Sequence, residues 1–352
     1  MNHKKSMNSD DVSRKKRKAV RTAFLVISLA IISAIGFFIM PLFTSGAPQR
    51  EIIVVPDDGS MRSLSDSLSV RFGKGYATRT IRAARLMLGA FHLRPGAYEI
   101  RKGDSPFTAA RRLGRGRQLI VTLALNNIRT IDEFAEKTSG MLKATPQEIL
   151  QAISDKATLA AYGLTPESAM ALVVADNYEL YWNSDPETII RKLGDRFESL
   201  WDDNRKKRAA DLGLTPLEVE TIASIADEET SKSDEKGRVC RLYYNRLMKG
   251  MRLQADPTVK FAIGDFGIKR ILKSHLNAES PYNTYRVEGL PPGPIRITDP
   301  ATVDAFLNSS PTDEIYMCAR SDLSGYHDFT ASYSEHLSNA RRYQEKLNQL
   351  GI

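Results

Sequence analysis

Residues 14–43 read RKKRKAVRTAFLVISLAIISAIGFFIMPLF: five consecutive basic side chains, a short bridge ending in Arg21, and then 22 residues without a charge. A helix rises 1.5 Å per residue, so such a run spans about 33 Å, enough for a hydrocarbon core of about 30 Å. A basic flank ahead of an apolar span stays on the cytoplasmic side. The expected architecture is a basic cytoplasmic tail (residues 1–21), one transmembrane helix (22–43), and everything beyond about Ser45 outside the cytoplasm. A cleaved signal peptide would carry an apolar region of only about 7–15 residues. This one is longer, although Ser45-Gly46-Ala47 imitates a cleavage site. A buried core helix is seldom apolar on every face or preceded by such a basic run.

The anchor reading changes the meaning of the composition. The chain has 352 residues, with 50 Lys plus Arg against 42 Asp plus Glu, a net charge of +8 and a pI near 9.3. That pI would ordinarily suggest a nucleic-acid partner. The first 21 residues, however, hold eight basic and two acidic side chains, a net +6, which leaves +2 for the other 331. With no nucleic-acid-binding motif in that remainder, no nucleic-acid partner is expected. Two cysteines, Cys240 and Cys318, exclude a disulfide-dense scaffold and a four-cysteine zinc site. A single bridge between them stays open.

Past a linker at 45–50, short strands and helices alternate. Strands are expected at 51–55 (EIIVV), 97–100 and 118–125, and helices at 63–72, 80–88 and 107–113. This is a small α+β module over residues 50–125. Residues 126–210 read as a helical connecting region, with helices at 132–138, 145–153 and 186–208, and an aromatic segment at 177–183 (NYELYWN). The third part, 211–352, opens on Thr215-Pro216-Leu217-Glu218, a capping box with proline at the first helical position. It starts a helix running to about Thr230. On that helix Ile222, Ile225, Ala226 and Glu229 match the spacing of one face, so Glu229 lies within about 20° of Ile222 on the apolar stripe. Asp227 and Glu228 project elsewhere. A carboxyl on a core-facing stripe is either a structural group with a buried partner or a general acid whose pKa is raised by desolvation.

The sequence beyond Thr230 favours the general acid. A helix is expected at 234–249, N-capped by Ser233, ended by Gly250 and carrying Asn245 and Arg246. Loops come next, at 251–258 (MRLQADPT), 282–285 (YNTY) and 289–295 (GLPPGPI). Amide, hydroxyl and aromatic groups at this density suit a polyhydroxylated sugar. Short strands are expected at 286–288 and 314–318, and a helix at 333–350.

The segments IASIADEET, YYNRLMKGMRLQADPTV, SPYNTYRVEGLPPGPI and GYHDF, in this order and spacing, resemble the MltG/YceG family of endolytic murein transglycosylases. The match is strong from about Leu214 onward. The resemblance implies a fold of class α+β: one N-terminal transmembrane helix, a small LysM-like α+β subdomain, and a C-terminal mixed α+β catalytic domain. It implies cleavage of the β-1,4 bond between N-acetylmuramic acid and N-acetylglucosamine within glycan strands, leaving a 1,6-anhydro end, with neither metal nor organic cofactor. The family's catalytic glutamate is the last acid before a threonine, here Glu229 before Thr230, the residue that helix phasing picks independently. The usual Glu and Lys ahead of it are Asp227 and Glu228 here, and an extra unscreened negative charge would push the Glu229 pKa further up. Gln254, Asp256, Tyr282, Asn283, Thr284, Asn245 and His327 are assigned to substrate binding or support of Glu229, with Arg246 and Phe329 beside them. His327 and His336 lack a third ligand in evident spacing for a metal. The implied partners are peptidoglycan glycan strands, the inner (plasma) membrane through one helix, and peptidoglycan synthases. Two alternatives remain: a true hydrolase using Asp256 with Glu229 as its acid pair, and a non-catalytic, membrane-tethered peptidoglycan-binding scaffold using the small module and residues 178–182.

Overall fold

The computed structural model describes residues 9–87 and 93–351. Lys4 and Lys5 of the basic tail, and the end of the helix expected at 80–88, lie outside the described residues. The chain divides into two compact units: Met1–Ile120 with Tyr181–Asn183, and Val121–Leu180 with Ser184–Ile352.

The first unit begins with helix α1 (Ser9–Ala34), which runs through a π-helical turn (Ile35–Ile39) into α2 (Pro41–Thr44). Ser13–Thr44 is long and apolar enough to cross a membrane. The rest of the unit pairs β1 (Glu51–Val55) antiparallel to β2 (Gly96–Ile100), with Glu51 opposite Ile100. Between them run α3 (Met61–Phe72) and α4 (Lys74–Leu86), and α5 (Pro106–Gly114) comes after β2. Alternation along β1 sends Ile53 and Val55 inward to meet Leu64, Leu68, Tyr98, Ile100 and Leu113. Burying each such side chain stabilises the fold by about 1.5–3 kcal/mol. Helix α4 starts six residues earlier than the helix expected at 80–88, because its first turn packs Tyr76 and Ala77 into this core.

The second unit holds one continuous core from Leu123 to Leu307. Its elements are β3 (Ile120–Leu125), α6 (Ile131–Ser139), α7 (Pro146–Ile153), α8 (Lys156–Ala160), a 3-10 turn (Pro166–Leu172), β4 (Asp176–Tyr181), α9 (Pro186–Leu200) and α10 (Asp203–Asp211). Then come α11 (Pro216–Glu229), α12 (Ser233–Met248), α13 (Asp256–Ile263), α14 (Pro300–Leu307), β5 (Tyr316–Ala319), β6 (His327–Thr330) and α15 (Tyr333–Leu350). Strand β3 pairs with β4, and β5 pairs antiparallel with β6. Glu148 and Glu218 close capping boxes with Thr145 and Thr215, starting α7 and α11 where the sequence places them.

Three expectations need correction. The helix expected at 186–208 is two helices. Trp201 is buried and its indole N–H donates to Glu220 at 2.6 Å, which turns the chain inward before Asp202 caps α10. Residues 286–288 are turn and bend, not strand, because Asn283 carries the backbone through a tight turn there, its carbonyl accepting from the N–H groups of Arg286 and Val287. Helix α12 begins at Ser233 itself, with Lys232 at its N-cap and no side-chain cap. Gly237 lets α12 and α14 approach closely, since a Cβ there would meet the Ala305 carbonyl oxygen at 2.6 Å. Cys240 is buried and Cys318 half-buried, and both are free thiols.

Candidate active site

Along α11 the apolar stripe is buried as its spacing requires, with Ile222, Ile225 and Ala226 all inaccessible to solvent. Glu229 is the last residue of that helix. Thr230 leaves in an extended conformation (φ −140°), so the chain turns back and α12 packs against α11. This return brings Tyr243 beside Glu229, and its phenol donates to Glu229 Oε1 at 2.6 Å.

Glu229 is packed by protein except toward a cleft. Burial pushes its carboxyl up to about 7, against the pull of the Tyr243 hydrogen bond and with a smaller push from the Asp256 charge. The effect expected of the acidic run is weak, and the reason is in the neighbours. Glu228 is clamped by Arg129 at 2.9 and 3.1 Å and by Arg296 at 2.9 Å. Asp227 is held by Lys236 at 2.7 Å and by the Thr302 hydroxyl at 2.6 Å. Two of the three acids are therefore neutralised by cations, and the third is left with a proton to exchange near neutral pH.

The cleft holds about 370 Å³ and is lined by Glu229, Tyr243, Gln254, Asp256, Tyr285, Tyr316, Tyr333 and His336. The imidazole of His336 stacks on Tyr316, centroids 5.3 Å apart. Asp256 lies in the first turn of α13, and its carboxylate accepts from the Tyr285 phenol at 2.6 Å. Gln254 sits in the left-handed region (φ 53°), a conformation that costs a non-glycine residue about 1 kcal/mol or more. Its N–H donates to the Thr284 carbonyl at 3.1 Å. Its side-chain oxygen accepts from Arg246 Nη2 at 2.5 Å. Buried Arg246 also donates to the carbonyls of Arg252 and Ile315, tying α12 to the loop and to the approach of β5.

Of the residues singled out in the sequence, Glu229, Gln254, Asp256 and Arg246 meet at this cleft. The others lie behind or beside it. Buried Asn283 donates to the carbonyls of Leu276 and Ala278 and accepts from the Tyr285 N–H, shaping the turn that presents Tyr285. The Thr284 hydroxyl accepts from the Ala255 N–H at 3.0 Å and lies 2.8 Å from that of Thr258. The Tyr282 phenol donates to the Glu167 carbonyl at 3.0 Å. Asn245 donates to the carbonyls of Thr312 and Glu314. His327 Nδ1 is 3.0 Å from Glu235, and Phe329 lies under the Arg238 guanidinium at 4.3 Å.

Sequence reasoning missed Tyr243, Tyr285, Tyr316, Tyr333 and His336. A signal was present for Tyr243, which falls three residues after Cys240 and four after Val239 on the buried stripe of α12. A phenol there needs a polar partner. The aromatic segment considered for glycan binding is mostly β4, with Tyr178 and Leu180 in the core and Tyr181 exposed. Larger hollows lie elsewhere, one of about 560 Å³ lined by Glu148, Tyr162 and Arg191. The Glu148 carboxyl there is held low by its capping hydrogen bonds, so it has no proton to give near neutral pH.

Comparison with known proteins gives a consistent result. The sequence model of the YceG-like family matches residues 53–342. A Bacillus subtilis protein named endolytic murein transglycosylase is 37% identical over 129 residues, 37% of this chain and 35% of that protein. A Streptococcus pneumoniae protein of the same name is 27% identical over 259 residues, 64% of this chain and 46% of that protein. The chain thus matches less than half the length of these curated relatives. The crystal structure of a YceG-like protein from Listeria monocytogenes superposes with a TM-score of 0.53 at 22% identity, over 83% of this chain and 99% of that one.

Proposed function

The chain belongs to the YceG-like family, and on that premise we propose that it is a membrane-anchored endolytic peptidoglycan lytic transglycosylase. It cuts the N-acetylmuramic acid–β-1,4–N-acetylglucosamine bond within glycan strands and so limits the length of nascent strands. The names of the relatives support this reading. The observation that carries it is one carboxyl, Glu229, with a pKa of about 7 at the floor of a cleft walled by tyrosines.

A group that titrates near the working pH serves equally as acid and base. Protonated Glu229 gives its proton to the glycosidic oxygen as the bond from the muramic acid C1 breaks. The resulting carboxylate then takes the proton of that sugar's C6 hydroxyl while the C6 oxygen bonds to C1. The 1,6-anhydro ring closes, Glu229 regains its proton, and no water enters the product. The Tyr243 phenol steadies the carboxylate between the two transfers. Gln254 and Asp256 position the sugar, Asp256 being oriented by Tyr285. Asn283 and Thr284 fix the loops beneath them, and Tyr282, Asn245 and His327 brace the surrounding frame.

Residues 211–352 carry the chemistry, with 126–210 packed into the same core. Within residues 50–125, the part up to Ile120 forms a LysM-like subdomain, while β3 pairs with β4 of the second unit. The strand–helix–helix–strand order of β1, α3, α4 and β2 around an antiparallel pair supports that assignment. The apolar helix anchors the chain in the plasma membrane, with residues 1–21 cytoplasmic and both units outside, where peptidoglycan synthases supply the strands. Purified strands incubated with the protein and with Glu229→Gln test the reading. Anhydro ends are expected from the former alone. Binding by both without cleavage by either would instead favour a scaffold.

A further inference from the structure

The charge outside the anchor is not evenly spread. Residues 50–120 hold fourteen Lys and Arg against six Asp and Glu, a net +8, whereas residues 121–352 hold 28 against 34, a net −6. The small unit beside the apolar helix is therefore strongly basic. Three of its carboxylates are taken by other arginines. Glu51 pairs with Arg71, Glu99 with Arg50 and Arg101, and Asp104 with Arg112. Among the described residues no carboxylate pairs with Arg82, Arg85, Arg111 or Arg115, all exposed.

Arg82 and Arg85 lie on α4, and Arg111 and Arg115 lie on and just after α5, the two helices that pack on the outer end of the apolar helix. Leu42 is wholly buried against Ala83 and Ala84 of α4 and Ala110 of α5. The Phe43 ring lies 4.7 Å from that of Phe107 on α5. Arg111 lies one turn beyond Phe107 on the same face, and Arg115 one turn beyond that. On the other flank, the Arg82 guanidinium lies 5.6 Å from the centre of the Phe38 ring. Phe38 precedes Phe43 by five residues, about 7.5 Å along the helix axis. Arg82 is thus held below the level at which the apolar helix meets the module. Leu86, one turn along α4, is also exposed. An arginine at that depth lays its stem on apolar surface and needs an anion for its head.

We propose that Arg82 and Arg85 on α4, with Arg111 and Arg115 on and just after α5, bind the phosphate headgroups of anionic lipids in the extracytoplasmic leaflet. They form a basic collar that seats the small unit on the membrane surface. The proposal rests on the anchor reading, since only a membrane-embedded helix holds these residues at headgroup depth. The occupant is set by complementarity: four uncompensated guanidinium groups around a lipid-facing helix meet anionic phosphates before any soluble ligand.

The test uses the full chain in nanodiscs of phosphatidylcholine with a minor share of phosphatidylglycerol, with retained lipids counted by native mass spectrometry. Phosphatidylglycerol should be enriched over its bulk share. Each arginine near an anionic surface contributes roughly a fivefold preference, so the Arg82→Gln/Arg85→Gln/Arg111→Gln/Arg115→Gln variant should lose at least tenfold. The corresponding four Arg→Lys changes should keep most of the preference, and Lys206→Gln/Lys207→Gln in the second unit should change nothing. High salt should strip the preference from the unaltered chain, a readout that needs no variant to fold. Equal retention of both lipids by the unaltered chain, or no loss in the glutamine variant, overturns the proposal. A soluble glycerol-phosphate polymer that displaces the lipid and depends on the same arginines reassigns the collar to wall polymers and overturns the lipid assignment. Release of the chain from membranes by alkaline carbonate overturns the anchor reading, and the proposal with it, a result distinct from insertion without lipid preference.

Discussion

Replacing Tyr243 by Phe removes one hydrogen bond and leaves a ring of the same shape in a site 2% exposed to solvent. The lost bond, from the phenol to Glu229 Oε1 at 2.6 Å, lowers the Glu229 pKa while burial raises it to about 7. Hydrogen bonds to charged groups contribute about 1.5–3 kcal/mol, and one pKa unit corresponds to 1.36 kcal/mol. The protonated acid keeps part of the same bond, so the differential effect is about one unit, placing Glu229 near 8 in the variant. If the protonated form starts the reaction, the rate falls as pH rises through this pKa. At pH 8 roughly a tenth of the unaltered protein carries the proton, against about half of the variant, whereas at pH 6 both are nearly fully protonated. The ratio of the rate at pH 8 to the rate at pH 6 should therefore rise about fivefold in Tyr243→Phe, even if its absolute rate is lower. Initial rates on purified glycan strands between pH 5 and 9 give this ratio directly. An alkaline fall-off with the same midpoint in both proteins would refute the assignment of that limb to Glu229.

Other consequences lie in stability. Glu220 is buried, accepts from the Trp201 indole at 2.6 Å, and has its pKa raised by burial to about 8. The folded state holds a proton that the unfolded state releases above about 4.5, so stability is greatest below that pH and declines up to about 8. Glu220→Gln should flatten this slope, removing at most about 3.5 kcal/mol of the stability difference between denaturant titrations at pH 5 and pH 8. Arg246→Met leaves the carbonyls of Arg252 and Ile315 and the Gln254 side chain without their donor. It should cost about 3 kcal/mol in equilibrium unfolding. Gly237→Ala presses a Cβ on the Ala305 carbonyl and should lower stability by about 1–3 kcal/mol. The midpoint of the pH–rate profile should stay in place.

Local rules made much of this legible in advance. The Thr-Pro-x-Glu boxes start α7 and α11, the run EIIVV is β1 residue for residue, and residues 333–350 form α15 as expected. Helix phasing placed Glu229 on the buried face because a 3.6-residue period needs no tertiary information. The break at Trp201 was not legible, because it depends on a partner, Glu220, on another helix. The weak effect of Glu228 on Glu229 is of the same kind. Its screen is Arg129 and Arg296, 99 and 68 residues away in sequence. The tyrosine walls of the cleft come from α12, the loop at 285, β5 and α15, and no single window of sequence contains them. Composition misled once: the near-zero charge of the chain beyond the tail is a basic unit and an acidic unit cancelling in the sum.

The central claim is that one carboxyl, Glu229, drives cleavage with the sugar's own C6 hydroxyl as nucleophile. Mass analysis of glycan fragments released in heavy-oxygen water tests it most directly. The account predicts fragments ending in the 1,6-anhydro ring, with summed mass equal to that of the parent strand, no heavy oxygen incorporated, and none formed by Glu229→Gln. Fragments heavier by one molecule of the labelled water would contradict it and point to a hydrolase pairing Glu229 with Asp256.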